Sequence, residues 1–199
     1  MARNSHSERR PSGRPGSPRA RLFLALEPPE EDRAALAAWR DALVAGRRDL
    51  RPLAAESLHL TLVFLGYRRE KEIPQIWEAA HDAVRALAPA LLRPVAVMPV
   101  PRRSPRLFAL DFEDEAGRAA RIQAAASDRL AAERLYRPEQ REWWPHLTLA
   151  RVKRGARAAP LEPDSSPPAS VRASMVTLYR SVLRPQGALY VPLERVQLS

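Results

Sequence analysis

One tetrapeptide, His-Leu-Thr-Leu, stands in each half of the chain, within Leu58-His59-Leu60-Thr61-Leu62 and Pro145-His146-Leu147-Thr148-Leu149. Leucine at every second position has the period of a β-strand with one buried face, not the 3.6-residue period of a helix. His59 and Thr61 therefore project together, roughly 6.6 Å apart, while the leucines enter an apolar layer behind them. His146 and Thr148 obey the same geometry. Each half must supply a core behind its strand and leave the polar face open. If an approximate two-fold relates the halves, those faces converge on one cleft.

The flanking sequence supplies the layers. RLFLALE (21–27), stopped by Pro28-Pro29, reads as a first strand. Glu30, Glu31 and Asp32 suit a helix N-terminus, and Ala34 to Val44 repeats Leu36, Trp39 and Leu43 on one helix face. A second strand spans 57–66 and a second helix Ile73 to Leu87, with Trp77 on its apolar face and His81 at its surface. PVAVMPV and RLFALDF, joined by PRRSPR, read as a hairpin within 94–112, and an Ala-rich helix from Glu113 to Leu135 leads to HLTLARV (146–152). A proline-rich loop (156–169) precedes MVTLYRSVL and ALYVPLERVQL, two closing antiparallel strands around Pro185-Gln186-Gly187. The expected class is α+β with mainly antiparallel sheets. Residues 1–19, rich in Arg, Ser, Pro and Gly, are expected to be a disordered basic tail without the apolar stretch of a secretory signal, and 20–199 a single domain.

The chemistry must come from few residue types. There is no cysteine, which removes thiol nucleophiles and thiolate metal sites, and the four histidines lack the i, i+4 spacing of a helical zinc site. No apolar run approaches the roughly 20 residues of a membrane span. The net charge of +10 has two readings, a polyanionic partner or an arginine-rich coding bias, since Lys71 and Lys153 are the only lysines. Arg102, Arg103 and Arg106 fit an RNA backbone or a solvated turn equally well. Two imidazoles on one cleft suit attack at phosphorus: one takes a proton from water, the other protonates the departing alkoxide, each worth roughly 10²–10⁴ in rate. The threonine hydroxyls and Arg151, five residues after His146, can bind the nonbridging oxygens. A duplicated lobe that keeps both motifs for packing alone is the competing reading.

The order RLFLAL, LHLTLVFLG, WPHLTLARV, LYRSVL resembles that of the two-histidine phosphoesterases, specifically the RNA 2′,3′-cyclic phosphodiesterases also called 2′-5′ RNA ligases, from about Arg21 onward. That resemblance implies a bilobal, pseudo-two-fold α+β fold with two sheets lining a central cleft, helices outside, and no metal or other cofactor. It implies hydrolysis of 2′,3′-cyclic phosphate ends to 2′-phosphomonoesters, with His59 as proton donor and His146 as acceptor. Thr61, Thr148 and Arg151 match phosphate-binding positions, and Phe23 is a candidate nucleoside contact against a core reading. The implied partners are RNA or nucleotides ending in a 2′,3′-cyclic phosphate, for a monomeric cytoplasmic protein with no membrane and no obligate protein partner. An RNA-end or tRNA-binding module without turnover, and an enzyme of the same class acting on another cyclic or 2′-5′-linked nucleotide, are the alternatives. Trp143-Trp144 and the proline-rich loop depart from the usual pattern and bear on substrate preference.

Overall fold

The structure, a computed structural model, describes residues 17–199 apart from 164, 169 and 186. Most of the expected tail, residues 1–16, lies outside the described residues, and its last member, Arg19, already opens the first strand. The elements run β1 (Arg19–Glu27), α1 (Glu30–Leu43), β2 (Leu50–Pro52), β3 (Leu60–Arg69), α2 (Ile73–Val84), β4 (Ala90–Val100), β5 (Leu107–Asp114), α3 (Arg118–Ala132), β6 (His146–Val152), β7 (Val171–Ala173), β8 (Met175–Arg184) and β9 (Gly187–Gln197). Every strand pairing is antiparallel, as the α+β reading expects.

Helix α3 starts five residues later than the expected Glu113, for a local reason. Strand β5 runs on to Asp114, whose carboxylate accepts hydrogen bonds from the backbone N–H groups of Ala119 and Ala120 at 3.0 and 2.8 Å. These satisfy free donors of the first turn, and Gly117, at φ 62°, makes the left-handed turn that lets the helix begin at Arg118. Strands β2 and β7 have three residues each, too few to show a period in the sequence.

Instead of two sheets, the strands form one, in the order β7-β4-β5-β6-β3-β1-β8-β9 with β2 beside β6. The halves meet through a single register pair, Leu60 with Leu147, which lets the hydrogen-bonded ladder continue where two separate sheets were expected. On either side of that pair the same unit recurs: β1–α1–β3 and β5–α3–β6, each a strand and a helix followed by a motif strand that pairs back on the first. Ala25 aligns with Thr61 in one unit, Ala109 with Thr148 in the other.

The core lies between one sheet face and the helices. Leu22, Leu24 and Leu26 of β1, with the motif leucines Leu58, Leu60, Leu62, Leu147 and Leu149, pack against Leu36 of α1, Ile76 of α2 and Ile122 of α3. Each buried leucine contributes about 1.5–3 kcal/mol, and a one-residue slip of a motif strand would turn its whole leucine row out of the core. The leucines thus decide which face the histidines occupy.

Candidate active site

Extending the Leu60–Leu147 pairing by one residue each way sets His59 across from Thr148 and Thr61 across from His146, all on the face opposite the leucines. Diagonal cross-strand neighbours such as the two histidines lie roughly 7–8 Å apart at the backbone. The strands pair at this one position, and β6 takes β2 as its neighbour from Ala150 to Val152.

Arg151 reaches this face through a backbone irregularity. Five residues from His146, it would lie among the leucines on a regular strand. In β6, however, Ala109 pairs with Thr148 and the next residue, Phe108, with Ala150, so Leu149 is a bulged extra residue. Ala150 turns into a small apolar cluster with Phe108 and Leu50, and Arg151, opposite Leu107, returns to the histidine face. A bulge at the same place in β3, between Thr61 and Val63, carries Phe64 to that face, opposite Phe23. Phe64 thus stands in the first half where Arg151 stands in the second. It is 40% exposed, with the Arg21 guanidinium 4.6 Å above its ring.

The two imidazoles have different surroundings. His59 stacks on Phe23 at 5.0 Å and on Tyr179 at 5.9 Å, with Tyr190 edge-on at 5.2 Å. Its ring is only partly open to the cleft. Removal from water in this aromatic cage pushes its pKa down to about 4; the Ser57 backbone and the Glu27 carboxylate oppose the shift, and the neighbouring His146 and Arg151 add to it. Its Nδ1 is buried. His146 stacks face to face on Trp144 at 4.1 Å and 15°. Its Nδ1 lies 2.9 Å from the Trp144 carbonyl oxygen, so the proton belongs on Nδ1 and Nε2 keeps its lone pair. Burial also lowers the pKa of this ring, opposed by the Trp144 backbone and the Asp111 carboxylate, with Arg141 adding to the fall.

Long-range contacts hold both rings. Glu27, buried behind His59, accepts hydrogen bonds from the Tyr179 hydroxyl at 2.8 Å and from Arg33 at 2.9 Å. Asp111, aligned with His146, accepts one from the Trp144 indole. Trp143 donates to the Thr61 carbonyl at 2.9 Å and so ties the approach to the second motif onto the strand of the first.

Of the residues expected at a site, His59, Thr61, Arg151 and Phe23 line one cavity of about 340 Å³. His146 lines an adjoining cavity of about 640 Å³, which shares Thr61 and Phe64 with the first. Thr148 lies on the histidine face of β6 between these residues and is not part of either lining. Phe23 is 3% exposed and mostly covered by His59 and the tyrosines, so the larger open aromatic face in the cavity belongs to Phe64. Sequence reasoning missed Glu27, Tyr179, Tyr190 and Phe64. Only Phe64 had a local signal, at the same distance from His59 as Arg151 from His146. Among the described residues no three His, Asp or Glu side chains converge as metal ligands would, and no helix is long and apolar enough to cross a membrane.

The chain belongs to the 2′-5′ RNA ligase superfamily, which residues 28–184 match. A Thermus thermophilus protein named RNA 2′,3′-cyclic phosphodiesterase is 35% identical over 183 residues, covering 89% of this chain and 90% of its own. One of the same name from Aeropyrum pernix is 30% identical over 168 residues, 81% of this chain and 94% of its own. Among solved structures, TT0787 of Thermus thermophilus superposes with a TM-score of 0.72 at 34% identity, covering 89% of this chain and 97% of that one. E. coli LigT in apo form gives 0.72 at 26% identity, with 92% and 99% covered.

Proposed function

We propose that this chain hydrolyses the 2′,3′-cyclic phosphate ends of RNA to 2′-phosphomonoesters without a metal. The observation that carries the reading is the meeting of two His-x-Thr strands at one register pair, with an imidazole on each side of the opening. The family's cyclic phosphodiesterase relatives supply the substrate class.

His146 has the tautomer a base needs, since its Nε2 lone pair is free to take a proton from water. The water oxygen attacks phosphorus, the bond to O3′ breaks, and His59 gives its proton to the departing O3′, leaving the phosphate on O2′. Thr61, Thr148 and Arg151 hold the nonbridging oxygens, where charge builds in the transition state. An empty-site His59 with a pKa of about 4 is neutral at pH 7, so its acid form depends on the bound phosphate anion, which favours the imidazolium. Phe64 and the exposed Leu183 offer the terminal nucleoside an apolar wall, with Phe23 presenting a ring edge behind His59. The reading carries with it a monomeric, cytoplasmic enzyme.

The test is incubation of the full chain, in excess EDTA, with an RNA oligonucleotide ending in a 2′,3′-cyclic phosphate, followed by assignment of the product phosphate. A 2′-phosphate formed at an undiminished rate is the expected result. RNA binding without turnover would identify a binding module instead, and a 3′-phosphate product would overturn the mechanism.

A further inference from the structure

Beyond the cleft, one end of the sheet carries a second concavity of about 630 Å³, lined by Arg51, Arg106, Lys153 and Arg154 with no acidic side chain in the lining. Three separate segments bring these cations together. Arg106 ends the turn between β4 and β5, and its carbonyl accepts a hydrogen bond from the Val152 N–H at 2.9 Å. Lys153 and Arg154 follow directly on β6, the strand that bears His146. Arg51, on β2, is the register partner of Arg151.

The groove adjoins the cleft through neighbouring residues. Arg151 lines the His59 cavity, while its neighbour Arg51 lines the basic groove. The β8–β9 hairpin serves both, with Leu183 and Ala188 over the cavity and Pro185 over the groove. That hairpin crosses to β2: a Cβ on Gly187 would stand 3.0 Å from the Arg51 guanidinium. Arg151 is on β6, and Lys153 and Arg154 follow it in the turn just past the strand's end. Asp49, an acid whose charged form Lys153 favours, is itself held by Arg47 at 2.7 Å. Arg106 and Arg154 are exposed.

We infer that this groove binds backbone phosphates of the RNA strand lying 5′ of the cyclic end, so that the protein takes oligonucleotides in preference to cyclic mononucleotides. The inference rests on the proposed reading that the cleft holds the cyclic phosphate. A 2′,3′-cyclic phosphate occupies the 3′ terminus, so the rest of the strand leaves the cleft in the 5′ direction. The groove is a cationic surface beside the phosphate-binding arginine, whose register partner Arg51 lines it. Arginine side chains spaced along an extended track suit successive phosphates and read no bases. Such contacts lower KM for longer strands and leave the chemistry at the cyclic end unchanged.

The experiment compares the full chain with R106Q/K153Q/R154Q, using adenosine 2′,3′-cyclic phosphate and an RNA hexamer ending in a 2′,3′-cyclic phosphate. The mononucleotide is expected to be turned over equally by both proteins. For the hexamer, kcat/KM should fall at least roughly tenfold in the variant, mainly through KM, the worth of one charge-assisted phosphate contact. The slope of log affinity against log salt should become shallower by about two, at about 0.7 per neutralised phosphate on a single strand. Equal losses on both substrates, or none on the hexamer, would overturn the inference. The single variant R154E repeats the comparison with one exposed site changed, so that a folding defect in the triple variant does not decide it. If the parent protein hydrolyses neither substrate, the proposed reaction fails on its own. Anisotropy binding of the same hexamer bearing a 3′-phosphate then decides for the groove: binding lost in the triple variant sustains it, and equal binding or none by the parent overturns it.

Discussion

Leu60 and Leu147 hold the same place in the two His-x-Thr motifs, and they are the single register pair that joins β3 to β6. Both are fully buried. Each histidine directly precedes its leucine, His146 as the first residue of β6 and His59 just ahead of β3, so this one apolar contact bears on the separation of the two imidazoles.

Leu147→Ala should therefore cost about 2–5 kcal/mol in denaturant unfolding, the range for a buried leucine that leaves a cavity. Combined with Leu60→Ala, the two losses should differ from simple addition by about 0.5–3 kcal/mol, because the residues touch. Strict additivity would mean that the junction is not held by this pair.

The pH dependence of turnover separates the free from the occupied site. The profile of kcat/KM reports the free protein, in which burial holds His59 near pKa 4 and His146 below its ordinary value. The profile of kcat reports the complex, where the substrate anion favours the imidazolium and raises the pKa of His59. The alkaline limb of kcat is expected at higher pH than that of kcat/KM, in initial-rate measurements across pH 4–9. Coincident limbs would contradict the role given to the phosphate.

Stability should also fall in acid. An unfolded imidazole titrates near 6.5 and folded His59 near 4, so between these values the unfolded chain binds one more proton. Stability then drops as pH falls from about 6.5 to about 4, by about 1.4 kcal/mol per pH unit and about 3 kcal/mol in all. His59→Gln should flatten that decline in urea melts at several pH values. An unchanged slope would show that His59 is not held neutral by its aromatic cage.

Arg151 owes its position to the bulge at Leu149. Arg151→Gln keeps a polar but shorter side chain and removes the guanidinium charge, and kcat/KM should fall roughly 10–100-fold, the cost of a charged hydrogen bond. Melting temperature should change little, since Arg151 is only partly buried. A variant with parental kinetics would take Arg151 out of phosphate binding.

The parts of this site legible from sequence were those governed by local period. Two His-Leu-Thr-Leu repeats indicate strands, faces and the leucine core behind them, and the structure keeps these, except that the strand expected over 57–66 starts at Leu60, one residue after His59, and runs to Arg69. Arg151 lies on the face its spacing alone would deny it, because a bulge is set by cross-strand pairing and has no local periodic sign. The start of α3 was obscured because the acidic run Glu113-Asp114-Glu115 itself suits a helix's first turn, while the Asp114 carboxylate, accepting from Ala119 and Ala120, decides where the helix begins. Glu27 and Tyr179 are 152 positions apart. Their hydrogen bond behind His59 follows from the pairing of β1 with β8, which only the folded sheet reveals.

The central claim is that the two imidazoles act as one unit on one phosphate. It is tested most directly by single-turnover hydrolysis of a cyclic-phosphate-ended oligonucleotide by His59→Ala, His146→Ala and the double variant. Residues that work as a pair lose nearly everything in the first substitution, so the double variant should be about as slow as either single one. Substantial activity in either single variant, or losses that multiply in the double, would contradict the account.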